Sequence, residues 1–293
     1  MQSGLVVVDK PAGWTSHDVV AKLRKVYGQK RVGHAGTLDP DATGVLLVGL
    51  GRVTRLLRFL QETDKEYRGT VVFGIATNTL DAAGEVLDER PMPLTQAQVE
   101  AAKGAFLGDI AQVPPMVSAI KVGGRRLHEL ARKGEEVERA PRPVHIDLID
   151  VEDFVAGDHP VATIRVVCGS GTYIRSLAAD LGAALGGPAH LGSLRRLRVG
   201  VFGDAEAVPL DAVEADPAAA LRTPAAAMRG LAALVVDAEG AAGVAHGAAL
   251  PGDLADAAID GPFAVLDPAG DLLAVYERRG PVLRAAVVVA VDA

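Results

Sequence analysis

The sequence predicts an α+β fold, with a mixed or antiparallel sheet, flanking helices and a small β-rich module at the C-terminal end. Three observations carry this reading. Strand-length apolar runs and helices of period 3.6 both occur, but they do not alternate in strict βαβ order, and several neighbouring strand segments lie close enough to form hairpins. A proline-bounded stretch, opened by Val113-Pro114-Pro115 and closed by Pro141-Arg142-Pro143, interrupts the regular elements as an excursion from the core. From about Asp204 the texture becomes Ala-rich and acidic, and the chain ends in short apolar runs.

In order along the chain, Gly4–Asp9 is a buried strand ended by Lys10-Pro11-Ala12-Gly13. Ser16 is placed to N-cap a helix through Val19, Val20, Leu23 and Val26 that stops at Gly28. A Gly/Asp-rich loop, 33–44, leads into the apolar strand Val45–Leu50. A short helix follows, with Val53, Leu56, Leu57 and Leu60 on one face and Arg52, Arg55 and Arg58 around it. Glu66–Ala76 and Val86–Leu87 read as strands, with a turn near Asp81-Ala82-Ala83-Gly84, and Thr95 caps a helix to about Phe106. The excursion is read as part helical around Leu127–Lys133. Strands resume at 144–155 and 161–168, a helix opens at Thr172 and runs to Leu185, and a strand covers roughly 191–202. Residues 211–229 form a helical connector containing Pro217 and Pro224. Leu234–Val236, Phe263–Leu266, Leu272–Tyr276 and Ala285–Val291 are the strands of the module. The expected division is a main domain over 1–228 and a second over 229–293.

Composition narrows the function classes. The single cysteine, Cys168, excludes an intramolecular disulfide and a Cys-cluster metal site, and its apolar setting favours a small core residue over a catalytic thiol. The first residues lack the pattern of a signal peptide, and no apolar run approaches ~18 residues, so the expectation is a cytoplasmic protein without a membrane span. The net charge of −7 argues against a polyanionic partner only until it is divided. Residues 1–200 carry 25 Lys/Arg against 23 Asp/Glu, whereas residues 201–293 carry 5 against 14. The acidity sits in the last third, and local charge governs steering.

The loop Gly33-His34-Ala35-Gly36-Thr37-Leu38-Asp39-Pro40-Asp41-Ala42-Thr43-Gly44 is the most informative segment. Its glycines allow close approach of a ligand, and Pro40 restricts Asp39 to an extended backbone from which a carboxylate can project. On chemistry alone, a solvated turn is the better reading.

The motif Gly36-Thr37-Leu38-Asp39-Pro40-Asp41-Ala42-Thr43-Gly44 resembles the active-site motif of the bacterial tRNA pseudouridine-55 synthase family, the TruB-type pseudouridine synthases. Asp9-Lys10-Pro11-Ala12-Gly13-Trp14-Thr15-Ser16 and Lys65-Glu66-Tyr67 resemble two further motifs of that family. So do Pro114-Pro115-Met116-Val117-Ser118-Ala119-Ile120-Lys121, Gly171-Thr172-Tyr173-Ile174-Arg175-Ser176-Leu177 and Leu194-Arg195-Arg196. They stand in the expected order over about 200 residues, and the ordered set is far more specific than any member.

The resemblance implies a pseudouridine-synthase core of mixed, mainly antiparallel sheet with flanking helices, an RNA-gripping insertion and a small PUA-like C-terminal domain. It implies isomerisation of one uridine in the T-arm loop of tRNA without metal or other cofactor, by an enzyme acting as a monomer with no obligate protein partner. Asp39 corresponds to the catalytic carboxylate, whose charge suits a nucleophile, a base or a partner to a developing ribosyl cation. Arg175 corresponds to the residue that pairs with it, Tyr67 to the aromatic that stacks on the flipped base, Tyr173 to a pocket-lining aromatic and Leu194 to an apolar wall. His34 corresponds to the residue that fills the vacated stack, and Lys10 and Pro11 to structural support for the pocket floor. Lys121, Arg125, Arg126, Arg132 and Lys133 would grip RNA phosphates, although the interspersed Glu129, Glu135, Glu136 and Glu138 also suit a solvated face. His128 and Gly169 depart from the family pattern outside the proposed chemistry. Two rivals stay open: an RNA chaperone that folds tRNA without chemistry, and a synthase acting on ribosomal RNA or on targets selected by a small guide RNA.

Overall fold

The computed structural model describes residues 2–117 and 137–289, together with the backbone of 121–122 and 125–126. The chain opens with β1 (Gly4–Lys10), α1 (Ser16–Val26), β2 (Val32–Ala35), β3 (Thr43–Leu50), a 3₁₀ turn over Gly51–Arg55, and α2 (Leu57–Gln61). Next come β4 (Lys65–Phe73), β5 (Ile75–Thr77), β6 (Val86–Glu89), α3 (Gln96–Lys103) and β7 (Gly108–Gln112). The excursion contains β8 (Lys121–Val122) and β9 (Arg125–Arg126), followed by β10 (Arg142–Val155), β11 (Val161–Cys168), α4 (Ile174–Ala184) and β12 (Ala189–Val199). Then follow β13 (Phe202–Gly203), β14 (Val208–Pro209) and three short helices, α5 (Leu210–Ala215), α6 (Pro217–Ala220) and α7 (Pro224–Ala227). The C-terminal elements are β15 (Ala232–Val235), α8 (Ala238–Ala245), β16 (Leu250–Pro251), β17 (Phe263–Leu266), β18 (Leu272–Arg279) and β19 (Val282–Val288).

These elements form two compact units. One comprises Met1–Pro40, Gly44–Thr63 and Val199–Ala293; the other comprises Asp41–Thr43 and Asp64–Arg198. In the first, β1 runs antiparallel to β3 along its whole length, from Gly4 opposite Leu50 to Lys10 opposite Gly44. β1 also lies parallel to β14, and β2 is antiparallel to β3. The unbroken apolar run of β1 follows from this position, since all of its residues are buried except the half-buried Asp9. Leu5, Val7, Val45, Leu47, Leu56 and Phe59 form its core with Phe202, Met228, Val275 and Val287. A separate five-stranded sheet, in the order β15-β17-β18-β19-β16, closes around Phe263, Tyr276, Leu283 and Val244.

In the second unit the strand order is β12-β4-β11-β10-β7. β4 and β11 are antiparallel from Lys65 opposite Cys168 to Val72 opposite Val161. β4 alternates strictly, burying Lys65, Tyr67, Gly69, Val71 and Phe73. That places Lys65 and Tyr67 on the same face. Within the described residues both units mix strands and helices without βαβ regularity, as expected.

Several boundaries differ from the sequence reading. Thr15, not Ser16, caps α1: it accepts from the Asp18 N–H while Asp18 takes the Thr15 N–H, a reciprocal capping box. α4 begins at Ile174, with Tyr173 rather than Thr172 at its cap. Val32–Ala35 is a strand rather than loop, and Gly74, at φ +88°, breaks the expected strand Glu66–Ala76 into β4 and β5. The connector is three helices, two of them restarting at a proline behind the capping residues Asp216 and Thr223. Helix α8 was not expected, because Gly240 and Gly243 weaken its helical signal. The expected helix around Leu127–Lys133 lies outside the described residues.

Candidate active site

The loop between β2 and β3 is fastened on both sides of Asp39. On one side, the buried Ser16 hydroxyl accepts the Leu38 N–H at 2.9 Å and lies 3.2 Å from the Leu38 carbonyl. On the other, the Pro40 carbonyl accepts the Gly13 N–H at 2.9 Å and the Lys10 ammonium at 2.9 Å. Lys10 is 0% exposed at the end of β1, and its Nζ also donates to the carbonyls of Trp14 at 2.6 Å and Pro11 at 2.8 Å. Three oriented carbonyl dipoles satisfy the three donors of the ammonium, which is how so polar a group is accommodated in the interior. Ser16 is available for this because Thr15 has taken the capping position. Gly36 and Gly44 flank the segment at φ +79° and +99°, which a side chain would strain. Asp39 itself is half-buried, and the residues on either side of it are hydrogen-bonded to α1 and to the end of β1. His34, on β2, meets the ring of His17 edge to face, with centroids 5.4 Å apart and planes at 82°.

The other residues singled out by sequence lie in the second unit. Tyr67 is buried on β4 opposite Val166 of β11. Leu194 is half-buried on β12. A Cβ on Gly69 would fall 2.7 Å from the Ser193 carbonyl and 3.2 Å from Leu194 Cδ1, so glycine permits this close approach of the two strands. Tyr173 is fixed by its backbone: its N–H donates to Gln112 Oε1 at 2.7 Å, and Gln112 Nε2 returns a bond to its carbonyl at 3.1 Å.

Arg175 is 5% exposed and held by its side chain. Nη1 donates to the Thr79 carbonyl at 3.1 Å and to Asp81 Oδ2 at 3.3 Å, and Nη2 donates to the Val117 carbonyl at 2.7 Å. Asp81 is in turn oriented through Oδ1, which accepts from the Thr79 hydroxyl at 2.6 Å and the Ala83 N–H at 3.2 Å. Between them Leu80 sits at φ +63°, a left-handed backbone that costs a branched residue about 1–3 kcal/mol and persists only where the surroundings dictate it.

Burial pushes the Lys65 ammonium down to about 8, and the neighbouring Arg196 adds to the effect. For Glu66, burial opposes ionisation, but Arg165 at 2.7 Å and Arg198 at 3.2 Å hold the carboxyl below its ordinary value. Burial raises the Cys168 thiol to about 11, in keeping with a core residue. Lys121 and Arg126 stand opposite each other in the β8–β9 pair, with Arg125 opposite Val122. Arg132 and Lys133 lie outside the described residues.

Sequence reasoning missed Asp81, Thr79, Gln112 and Ser16 as parts of this arrangement. Asp81 reads as a turn residue, which it also is, and nothing in Thr77-Asn78-Thr79-Leu80-Asp81 marks an acceptor for a distant guanidinium.

The TruB family pseudouridylate synthase (N terminal domain) model matches residues 24–174, and the tRNA pseudouridylate synthase B C-terminal domain model matches residues 175–240. The chain is 46% identical over 293 residues to tRNA pseudouridine synthase B of Mycobacterium sp. (strain KMS), covering 98% of this chain and 95% of the relative. It is 52% identical over 222 residues to the protein of the same name from Thermobifida fusca (strain YX), covering 74% and 76%. A solved chain from a Cbf5-Nop10-Gar1 complex superposes with a TM-score of 0.74 at 27% identity, covering 97% of this chain and 84% of that one. A second, from an H/ACA RNP bound to a substrate RNA containing 2'-deoxyuridine, has a TM-score of 0.75 at 24% identity and speaks for the fold alone. With these matches running through most of its length, the chain belongs to the TruB family of pseudouridylate synthases.

Proposed function

We propose that this pseudouridine synthase isomerises the uridine at position 55, in the T-arm loop of tRNA, with Asp39 as its catalytic carboxylate. The N1–C1′ bond breaks, the uracil rotates, and a C5–C1′ bond forms, while the proton leaving C5 is balanced by the one gained at N1. The observation that carries the reading is the fastening of the loop at Leu38 and Pro40, which fixes the backbone on both sides of Asp39. A preorganised anion of this kind acts on a developing ribosyl cation without reorganisation at the moment of reaction.

To Arg175 we assign the role that the family resemblance implies, keeping the catalytic carboxylate ionised, with Asp81 and Thr79 orienting the guanidinium. Tyr67 stacks on the extruded base, Tyr173 and Leu194 wall the pocket, and His34 fills the stack the uridine leaves. Lys10 and Pro11 support the loop from below. The basic insertion, including Lys121, Arg125, Arg126, Arg132 and Lys133, grips phosphates of the stem-loop. Residues 229–293 form a PUA-like domain after a catalytic domain over 1–228, and the enzyme works as a cytoplasmic monomer. The high identity to relatives named for a tRNA activity supports this reading over a guided synthase.

The reading is tested by incubating the protein with tRNA that lacks the modification and mapping pseudouridine by position. A single new pseudouridine in the T loop is the expected result. Modification elsewhere, or none, would overturn the assignment of the substrate.

A further inference from the structure

We propose that Thr79 is a positioning residue for the isomerisation, setting the orientation of Arg175 by holding both the guanidinium and its carboxylate partner. The inference rests on the role given to Arg175 above. Thr79 touches both members of the Arg175–Asp81 pair. Its carbonyl accepts from Arg175 Nη1 at 3.1 Å, and its hydroxyl donates to Asp81 Oδ1 at 2.6 Å. With Oδ1 occupied, Oδ2 is the oxygen presented to the same Nη1, at 3.3 Å.

The turn that carries Thr79 is built to keep this arrangement. Leu80 takes its left-handed conformation between the two residues, donating to the Thr77 carbonyl at 3.2 Å and accepting from the Leu191 N–H at 3.0 Å. The Ala82 N–H returns a bond to the Leu191 carbonyl at 3.0 Å, and the Thr77 hydroxyl donates to the Asp81 carbonyl at 2.7 Å. Gly84 closes over the Thr79 hydroxyl so tightly that a Cβ there would come within van der Waals overlap of Oγ1. The backbone of the turn is thus fixed without the hydroxyl. What the hydroxyl adds is the rotation of the Asp81 carboxylate, which would otherwise rest on the Ala83 N–H and on Arg175 itself. A rotated carboxylate offers Arg175 a different acceptor direction, and because the guanidinium is a rigid planar fork, its other donors shift with it.

Thr79→Val keeps the branched shape of the side chain and removes the hydroxyl, whereas Thr79→Ser restores it. Thr79→Val should slow single-turnover pseudouridine formation at saturating tRNA by roughly ten- to a hundredfold, the range for losing a hydrogen bond to a charged group. The dissociation constant for tRNA should stay at the wild-type value, and Thr79→Ser should recover most of the rate. In an Asp81→Asn background, Thr79→Val should add little further loss, because the two act as one unit. A wild-type rate for Thr79→Val would overturn the proposal, as would a loss that appears in tRNA binding, or a full second loss on top of Asp81→Asn. So would a Thr79→Val protein that fails to fold, since the hydroxyl would then serve the turn itself. Failure of the parent reading looks different: the wild-type enzyme would make no pseudouridine in the T loop.

Discussion

Among the described residues two lysines are buried, one in each unit, and their surroundings are opposite. Lys10 ends β1 with three backbone carbonyls within 2.9 Å of its Nζ. Lys65 begins β4 beside a second buried cation, Arg196, and burial and this neighbour hold it down to about 8. The first is a clamp: its charge is spent on fixing the chain at Pro11, Trp14 and Pro40, next to the proposed catalytic carboxylate. The second stands on the face of β4 that carries Tyr67, where burial and the like charge of Arg196 oppose its protonation. The same side chain therefore serves two ends, and the acceptors around it decide which.

Replacing Lys10 with Met is the sharpest way to break this contrast. It leaves the Pro11 and Trp14 carbonyls without this donor and the Pro40 carbonyl with the Gly13 N–H alone, and should cost about 2 kcal/mol or more. The Pro40 side of the Asp39 loop would then hang on the Gly13 N–H, so turnover should fall together with the melting temperature. Wild-type turnover in a folded Lys10→Met protein would show that the loop does not depend on this clamp.

Lys65→Met should act in the other direction and by less. Because the folded-state value is near 8 and the ordinary one near 10.5, the unfolded chain binds more protons than the native protein between these limits. Stability contributed by this group therefore rises as the pH rises from about 8 to about 10.5. The difference between wild-type and Lys65→Met denaturation free energies should grow in favour of the wild type across that window and level off above it. A difference independent of pH would show that the ammonium is not perturbed.

How much of this was legible in the sequence depends on the range of the interaction. The strands β1, β3, β10 and β11 were plain, because burial on one or both faces writes itself as apolar runs or alternation. Thr95 was correctly placed as a cap, with Gln98 three residues on. At α1, two capping residues stand together, and the decisive signal was Asp18, three residues after Thr15 rather than after Ser16. Lys10 could be read as support, but the identity of its acceptors could not, since carbonyls leave no mark in a sequence. The Arg175 network was hidden for the same reason: Thr79, Asp81 and Val117 lie 58 to 96 residues away, and two of the three offer only carbonyls to it. The motif order singled out the residues proposed as the site, and tertiary geometry shows how Lys10, Tyr173 and Arg175 are held.

In the proposed mechanism the negative charge of Asp39, held on a clamped loop, drives the isomerisation. Asp39→Asn preserves the size and planarity of the side chain and removes that charge. Single-turnover rates at saturating tRNA, measured beside tRNA affinity and thermal melting, should fall by several orders of magnitude while melting is retained and affinity is retained or slightly tightened. A folded Asp39→Asn protein that makes pseudouridine in the T loop at the wild-type rate would contradict the account.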